Sequence, residues 1–234
     1  MIAGWILVIA VAVMDWVAVA KGWKKVEYIA KPGTMGVLFL LLVQGLAVTK
    51  FTSLPLLFFS LGILLSLAGD IFLMVSYARL SNRWFLAGLV GFLLAHVAYI
   101  IGLNTPVQAA SPIWAIGIGI ILAMSAARIL RRILAGVREK GLSRLVFPVV
   151  AYGTVITLML LSAILTLYRL DWMTSASGLV NLGAILFYAS DIILAWNKFV
   201  KPVRNGRVIN MATYHLGQIA LIAGVILQFA KKPL

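Results

Sequence analysis

Two aspartates interrupt apolar stretches that are long enough to span a membrane. Asp70 lies in SLAGDIFLM (residues 66–74), and Asp191 lies in ASDIILA (residues 189–195). A carboxylate inside a lipid bilayer costs about 3 kcal/mol on insertion scales, so it marks a candidate functional site. Two carboxylates buried near each other favour one protonated and one ionised group. That division suits acid/base hydrolysis through an oxocarbenium-like cation, as in paired-carboxylate chemistry on acetals.

Further polar residues accompany both aspartates in the same order along the chain. Each motif is followed by a basic connection and then by an apolar run with a histidine, His96 in LLAHVAYI and His215 in TYHLGQIAL. Tyr99 shares a helical face with His96, because residues three or four apart are neighbours on a helix. Six polar residues are therefore predicted to position substrate or water: His96, Tyr99, Asn181, Tyr214, His215 and Gln218.

These polar residues also have plainer interpretations. Two aspartates and two histidines are sufficient ligands for a metal, but no compact spacing such as HExxH is present, and we predict neither a metal nor a cofactor. An intramembrane histidine or Asn181 could simply join helices through hydrogen bonds. Asp15 and Asp171 lie near the ends of apolar runs, so we expect them at the membrane interface. The chain has no cysteine, which excludes disulfides and thiolate sites.

The composition indicates an integral membrane protein. Of the 234 residues, 63% are hydrophobic and 11% are charged. A soluble domain is about half apolar and about one quarter charged, so no soluble core could bury this much apolar surface. The net charge is +14. In a membrane protein, lysines and arginines are expected to anchor cytoplasmic loops, so we expect lipid contacts and no nucleic-acid partner.

Eight apolar segments have about the 20 residues that a membrane-spanning helix needs. They cover residues 2–20, 34–49, 55–77, 84–103, 112–130, 145–168, 176–199 and 211–230. Their connections are too short for a separate soluble domain, so residues 1–234 are predicted to form one all-α polytopic membrane bundle. The first segment lacks a basic start, so we expect a retained helix and not a signal peptide.

The distribution of basic residues predicts the orientation. Sixteen of the 20 lysines and arginines, Lys31 among them, lie in or beside the first, third, fifth and seventh connections. These connections should face the cytoplasm, with both termini on the opposite side, as in a multi-pass protein of a prokaryotic cytoplasmic membrane. The repeated Asp and His motifs further predict two parallel four-helix halves, residues 1–111 and 112–234.

Four motifs in the polar spans resemble the YhhN-type lysoplasmalogenase family. They are GDIFL, FLLAHVAYI, SDIILAWNKF and TYHLGQIALI, and the length and the eight spans also fit. The resemblance implies a membrane hydrolase that cleaves the vinyl ether bond of a lysoplasmalogen, a lysophospholipid, to a fatty aldehyde and glycerophospho-ethanolamine or -choline. The motif positions to which it assigns functional roles are Asp70, His96, Tyr99, Asp191, Lys198, Tyr214 and Gln218.

For such a reaction, one aspartate would protonate the β-carbon of the vinyl ether, and the other would stabilise the cation and activate water. We expect Lys198 and Tyr214 near Asp191, which favours Asp191 as the charged group and Asp70 as the acid, although the reverse assignment stays open. Basic residues at the cytoplasmic surface would hold the substrate phosphate. They are Lys198, Arg79 and Arg83.

A small proton-coupled transporter is the main alternative, because intramembrane aspartates and histidines are equally natural there. A transporter needs a polar path that can open to both faces of the membrane, whereas a lipid hydrolase needs a pocket that opens to one leaflet. The outer halves of the four polar spans nearly lack ionisable residues. This pattern favours the pocket.

Overall fold

The computed structural model describes residues 2–79, 82–106 and 112–230. Every regular element in these ranges is helical, and eight helices are long and apolar enough to cross a membrane. They are α1 (Ile2–Lys21), α2 (Lys24–Val48), α3 (Leu54–Arg79), α4 (Asn82–Leu103), α5 (Pro112–Glu139), α6 (Val146–Leu165), α7 (Thr174–Ala195) and α8 (Gly206–Phe229). Lipid offers no hydrogen-bond partners to the backbone, which favours helices. The prediction of an eight-helix membrane bundle is confirmed.

The helix boundaries differ most from prediction at α2 and α5. Helix α2 begins at Lys24, well before the predicted start at residue 34, and therefore contains Lys31. The assignment of Lys31 to a loop is wrong. Helix α5 continues to Glu139, beyond the predicted end at residue 130, and a π-helical turn (Trp196–Val200) extends α7.

Consecutive helices pack as antiparallel hairpins, except that α4 packs on α6 and not on α5. The C-terminal ends of α1, α3, α5 and α7 and the N-terminal ends of α2, α4, α6 and α8 therefore lie together, and we call that side of the bundle the basic end. Helix α5 packs on α6 and on the π-helical turn and otherwise faces outward.

Glycines allow the closest helix contacts in the bundle. A Cβ at Gly91 of α4 would lie 3.1 Å from the Cα of Gly69 in α3, and a Cβ at Gly183 of α7 would lie 2.5 Å from the backbone nitrogen of Leu221 in α8. Small residues at such contacts let two backbones approach closely inside a membrane. Because Asp70 follows Gly69 directly, the α3–α4 contact fixes the position of its carboxylate.

Candidate active site

Asp70 is a buried carboxylate with a partner on each oxygen. Lys31 Nζ of α2 lies 2.9 Å from Oδ1, and the Tyr214 hydroxyl of α8 donates to Oδ2 at 2.8 Å. The side chains of Lys31 and Asp70 are only 6% and 1% exposed. The ammonium group offsets the carboxylate charge, and both bonds are of the kind that an ionised carboxylate accepts. The geometry therefore favours an ionised Asp70.

Asp191 of α7 has different partners. The Tyr152 hydroxyl of α6 donates to Oδ2 at 2.5 Å, and His96 Nε2 of α4 lies 3.4 Å from the same oxygen. His96 Nε2 is also 3.1 Å from the Tyr152 hydroxyl. An imidazole, a phenol and a carboxylate are thus mutually within hydrogen-bond reach, and a proton can be shared among them.

Both aspartates line one cavity near the basic end. Towards the surface its walls become more polar, with Glu27, Asn197 and Arg207 among the lining residues. Arg207 Nη2 lies 2.6 Å from Glu27 Oε1. The prediction that spans three, four, seven and eight bring polar groups together agrees with this geometry, although α2 and α6 also contribute essential contacts.

Lys198 and Tyr214 do not lie beside Asp191, contrary to the sequence-based expectation. Tyr214 faces α3 and bonds Asp70, while Lys198 Nζ lies 4.2 Å from the centroid of the Phe85 ring. Lys198 belongs to the π-helical turn, whose wider winding changes the direction of its side chain relative to a regular α7. Among the described side chains, Lys198 makes no ion pair with Asp191.

The two predicted arginines lie at the basic end. Arg83 is exposed in the first turn of α4. Arg79 is the last residue of α3, and its side chain lies outside the described part of the structure.

Tyr99 and Gln218 bind each other and neither aspartate. The Tyr99 hydroxyl donates to Gln218 Oε1 at 2.9 Å, and Gln218 Nε2 donates to Ser66 Oγ at 3.2 Å. Ser66 lies one helical turn from Asp70, on the side away from the basic end. The Phe187 ring contacts the rings of both Tyr99 and Tyr214. This polar layer joins α3, α4 and α8 beneath the cavity.

Asn181 lies still further from the aspartates. Its amide nitrogen donates to the carbonyl oxygens of Ala163 and Ser177, at 2.9 and 2.8 Å, and approaches Thr166 Oγ1 at 3.3 Å. These bonds join α7 to the end of α6 and favour a packing function for Asn181.

His215 belongs to a separate buried cluster. Trp16 Nε1 donates to His215 Nδ1 at 3.1 Å, and Asp15 Oδ2 lies 3.9 Å from the same nitrogen. Asp15 is 0% exposed, so its side chain lies inside the bundle and not on the outer surface of α1. It is buried because its face of α1 packs against α8. Among the described residues, no three His, Asp or Glu side chains converge as metal ligands.

Sequence reasoning missed Lys31 and Tyr152, the two partners from α2 and α6. Lys31 follows Lys24 and Lys25 closely, so all three are interpreted from the sequence as loop residues. Tyr152 has no sequence feature that separates it from other aromatic residues of membrane helices. The signal that could have found them is their spacing, because each lies 39 residues before its aspartate.

A family model described as the YhhN family matches residues 26–225, which include both aspartates and all of their bonded partners. This chain belongs to the YhhN family. No solved structure matches it.

Several relatives of this YhhN-family chain carry the name lysoplasmalogenase TMEM86B. The Mus musculus protein is 36% identical over 88 residues, 38% of this chain and 33% of the relative. The Homo sapiens protein is 25% identical over 138 residues, 58% of this chain and 52% of the relative. The Sus scrofa protein is 28% identical over 147 residues, 60% of this chain and 54% of the relative. The chain thus spans between one third and about half of the length of these relatives.

Proposed function

We propose that this protein is a lysoplasmalogenase-like hydrolase that cleaves the vinyl ether bond of a lysoplasmalogen inside the membrane. The products would be a fatty aldehyde and glycerophospho-ethanolamine or -choline. Membership of the YhhN family and the names of the relatives support this reaction. One observation carries the proposal: Asp70 and Asp191 line the same cavity but have different partners. Asp70 is paired with an ammonium group, and Asp191 is paired with a phenol and an imidazole.

Asp191 is the proton donor in this proposal, the reverse of the assignment favoured by the sequence. Its carboxylic acid form transfers a proton to the β-carbon of the vinyl ether, and the remaining carbon–oxygen unit becomes an oxocarbenium ion. Tyr152 and His96 can return a proton to Asp191 for the next cycle, because both lie within hydrogen-bond reach of Oδ2. Asp70 is less suited to this step, since Lys31 stabilises its charged form.

Asp70 stabilises the cation and activates water. Its negative charge lies on the wall of the same cavity, where a preorganised charge attracts the oxocarbenium ion more strongly than in bulk water. Water adds to the cationic carbon and gives up a proton to the ionised Asp70, which produces a hemiacetal. The hydroxyl proton of the hemiacetal then passes to Asp191, the carbon–oxygen bond to glycerol breaks, and the glycerol oxygen takes the proton from Asp70. One water is consumed, and both aspartates recover their starting states.

The head group would lie at the basic end, which we propose is cytoplasmic. Asn197 and Arg207 line both the aspartate cavity and a wider surface basin, which Lys198 also borders. A phosphate in this basin would be within reach of cationic side chains, as the sequence predicted for Lys198, Arg79 and Arg83. Direct contacts from the two arginines remain part of the proposal.

The transporter alternative gains no specific support. In the described residues, the lining of the aspartate cavity comes from the basic halves of α2, α3, α4, α7 and α8 and from the π-helical turn. A layer of aromatic rings and the Tyr99–Gln218 bond lies beneath it. This closed floor is suited to a pocket that opens at one side.

The deciding experiment is aldehyde release from lysoplasmenyl-ethanolamine by the purified protein in detergent, in D₂O, with rapid trapping and mass spectrometry. The wild type should release an aldehyde that carries one deuterium at the carbon next to the carbonyl, because the proposed step protonates that carbon. Asp70→Asn and Asp191→Asn should each lower turnover by about 1000-fold, within the range of acid/base contributions.

The matched substrate control is the saturated alkyl-ether lysolipid, which has the same head group and no double bond to protonate. It should yield no aldehyde. Well-folded wild type without aldehyde release, or Asp variants with full turnover, would contradict the proposal, and flux of small solutes into liposomes would then test the transporter.

A further inference from the structure

Asp191 lies where the polar cavity meets an apolar one. The apolar cavity runs between α5, α6 and α7. Asp191 and Tyr152 line one part of it, and the rest is mainly aliphatic, including Ile129, Ile133 and Ile156. A single carboxylate therefore faces both a polar space and an apolar space.

This apolar cavity continues along α5 and α6. A second cavity shares Ala126, Leu130 and Gly153 with the first and reaches Gly119 and Leu161. We call the two together the chain groove. Along α5 it extends from residue 133 to residue 119, about 20 Å at the helical rise of about 1.5 Å per residue.

We propose that the chain groove holds the hydrocarbon chain of the substrate and that its far end, at Gly119, limits the chain length that the enzyme accepts. This inference rests on the proposed function and adds a specificity site to it. The groove is open to lipid on the outer side of the bundle, so a substrate can enter sideways from the bilayer.

The chemistry of the substrate places the chain in this groove. In a vinyl ether lipid, the reacting double bond is the point where the chain joins the polar glycerol part. When Asp191 contacts this double bond, the glycerol and phosphate lie in the polar cavity and the chain leaves on the opposite, apolar side. The length of about 20 Å exceeds half of the hydrocarbon thickness of a bilayer, about 15 Å, which is the depth that a lipid chain covers in one leaflet.

A third cavity next to Asp191 is less suitable for the chain. Phe85, Phe92 and Phe199 are among its lining residues. Phe85 lies in the first turn of α4, and Phe199 lies in the π-helical turn, so this space leads back towards the basic end. A chain placed there would run towards the head-group surface.

Glycine substitutions can shorten the groove from a chosen point. A side chain at Gly119 would point towards Leu161, which lies 3.7 Å from the added Cβ, and one at Gly153 would point towards Leu130 at 3.5 Å. Both are ordinary contact distances, so each glycine can be enlarged without a backbone clash. Gly117 of α5 is the matched control, because nothing lies within 4 Å of a Cβ added there.

The test measures kcat/KM of Gly119→Leu, Gly153→Leu and Gly117→Leu for lysoplasmalogens with dodecenyl, hexadecenyl and octadecenyl chains. Gly119→Leu should lower the value for the octadecenyl substrate at least about 10-fold and leave the dodecenyl substrate unchanged, since each misplaced methylene has a cost of this order. Gly153→Leu should lower all three values, and Gly117→Leu none. Ala123→Leu, in the same outer part of the groove, replaces Gly119→Leu if that variant does not fold.

Active Gly119→Leu and Ala123→Leu variants with the chain-length profile of the wild type would overturn the inference. Absence of activity in the wild type would instead contradict the proposed function. A second measurement separates the two cases, namely photocrosslinking of the wild type with a saturated ether lysolipid that carries a diazirine at the end of its chain. Crosslinks concentrated near Gly119 and Leu161 support the groove, and crosslinks spread over all outward helix faces overturn it.

Discussion

Lys31 and Asp70 form an ion pair of 2.9 Å inside the membrane-spanning part of the protein. Lys31 precedes Asp70 by 39 residues, and Tyr152 precedes Asp191 by the same number. Each aspartate therefore contacts a side chain of the helix that precedes its own, at the same spacing along the chain. One of these side chains is a cation and the other is a phenol. The chemical difference between the two carboxylates originates in these partners.

The remaining partners follow the same pattern. Tyr214, on the last helix of the second half, bonds the aspartate of the first half, and His96, on the last helix of the first half, approaches the aspartate of the second. Duplicated halves covering residues 1–111 and 112–234 would produce this arrangement. The repeat stays a prediction that the crossed contacts support.

Replacing Lys31 by Met should destabilise the protein by about 3 to 5 kcal/mol, because a buried carboxylate then loses its counter-ion. The double variant Lys31→Met/Asp70→Asn should recover most of this loss, since both charges are gone, but it should remain inactive. Thermal unfolding in detergent measures the stability, and aldehyde release measures turnover. A double variant as unstable as Lys31→Met would contradict a direct pairing.

Tyr152→Phe should lower turnover by about 100-fold, because it removes a hydroxyl that shares a proton with Asp191, and the loss of one hydrogen bond should cost only about 1 kcal/mol of stability. Tyr188→Phe is the matched control, since the Tyr188 hydroxyl bonds Thr157 and not an aspartate. Equal losses of turnover in both variants would show that Tyr152 acts through packing.

The two intramembrane histidines should behave differently on substitution by asparagine. His96→Asn should lower kcat by about 10- to 100-fold, because Asp191 loses a group that can return its proton. His215→Asn should retain kcat and lose stability, because His215 bonds Trp16 in a cluster apart from the two aspartates. Steady-state kinetics and unfolding temperatures of both variants test this contrast. A loss of kcat in His215→Asn, with kcat unchanged in His96→Asn, would contradict it.

Gly183→Ala should destabilise the fold and reduce activity, because the new methyl group would meet the backbone of α8 at 2.5 Å and push that helix away. Tyr214 moves with α8, so the bond to Asp70 would lengthen. Gly178→Ala, on the same helix, meets nothing within 4 Å and should leave stability unchanged or slightly raised. Similar unfolding temperatures for the two variants would contradict the importance of this contact.

The sequence predicts the helices, and it indicates the two aspartates as candidate site residues, because both inferences depend on local properties. A run of apolar residues is visible in any window of 20 residues, and so is a carboxylate within it. The partner of Asp70 is different. Lys31 follows a basic cluster and precedes Pro32, so its sequence neighbours assign it to the loop. Its environment in the structure is determined by Asp70, which lies on the next helix.

The expected placement of Lys198 beside Asp191 is wrong for a related reason. Lys198 lies seven residues after Asp191, which on a regular helix would place both on one face. The π-helical turn starting at Trp196 changes that phase, and Lys198 packs on Phe85. A deviation from regular helix geometry within one turn cannot be read from residue spacing alone, because spacing arguments assume that geometry.

The Lys31–Asp70 pair also has a consequence for synthesis of the protein in the cell. Helix α2 leaves the ribosome before α3 and carries Glu27 and Lys31 in its span. A lone lysine in an inserting helix costs up to about 3 kcal/mol, and only the arrival of Asp70 removes this cost. Helices α2 and α3 are therefore expected to enter the bilayer as a pair, and a chain that stops before Asp70 would leave α2 poorly anchored and open to degradation.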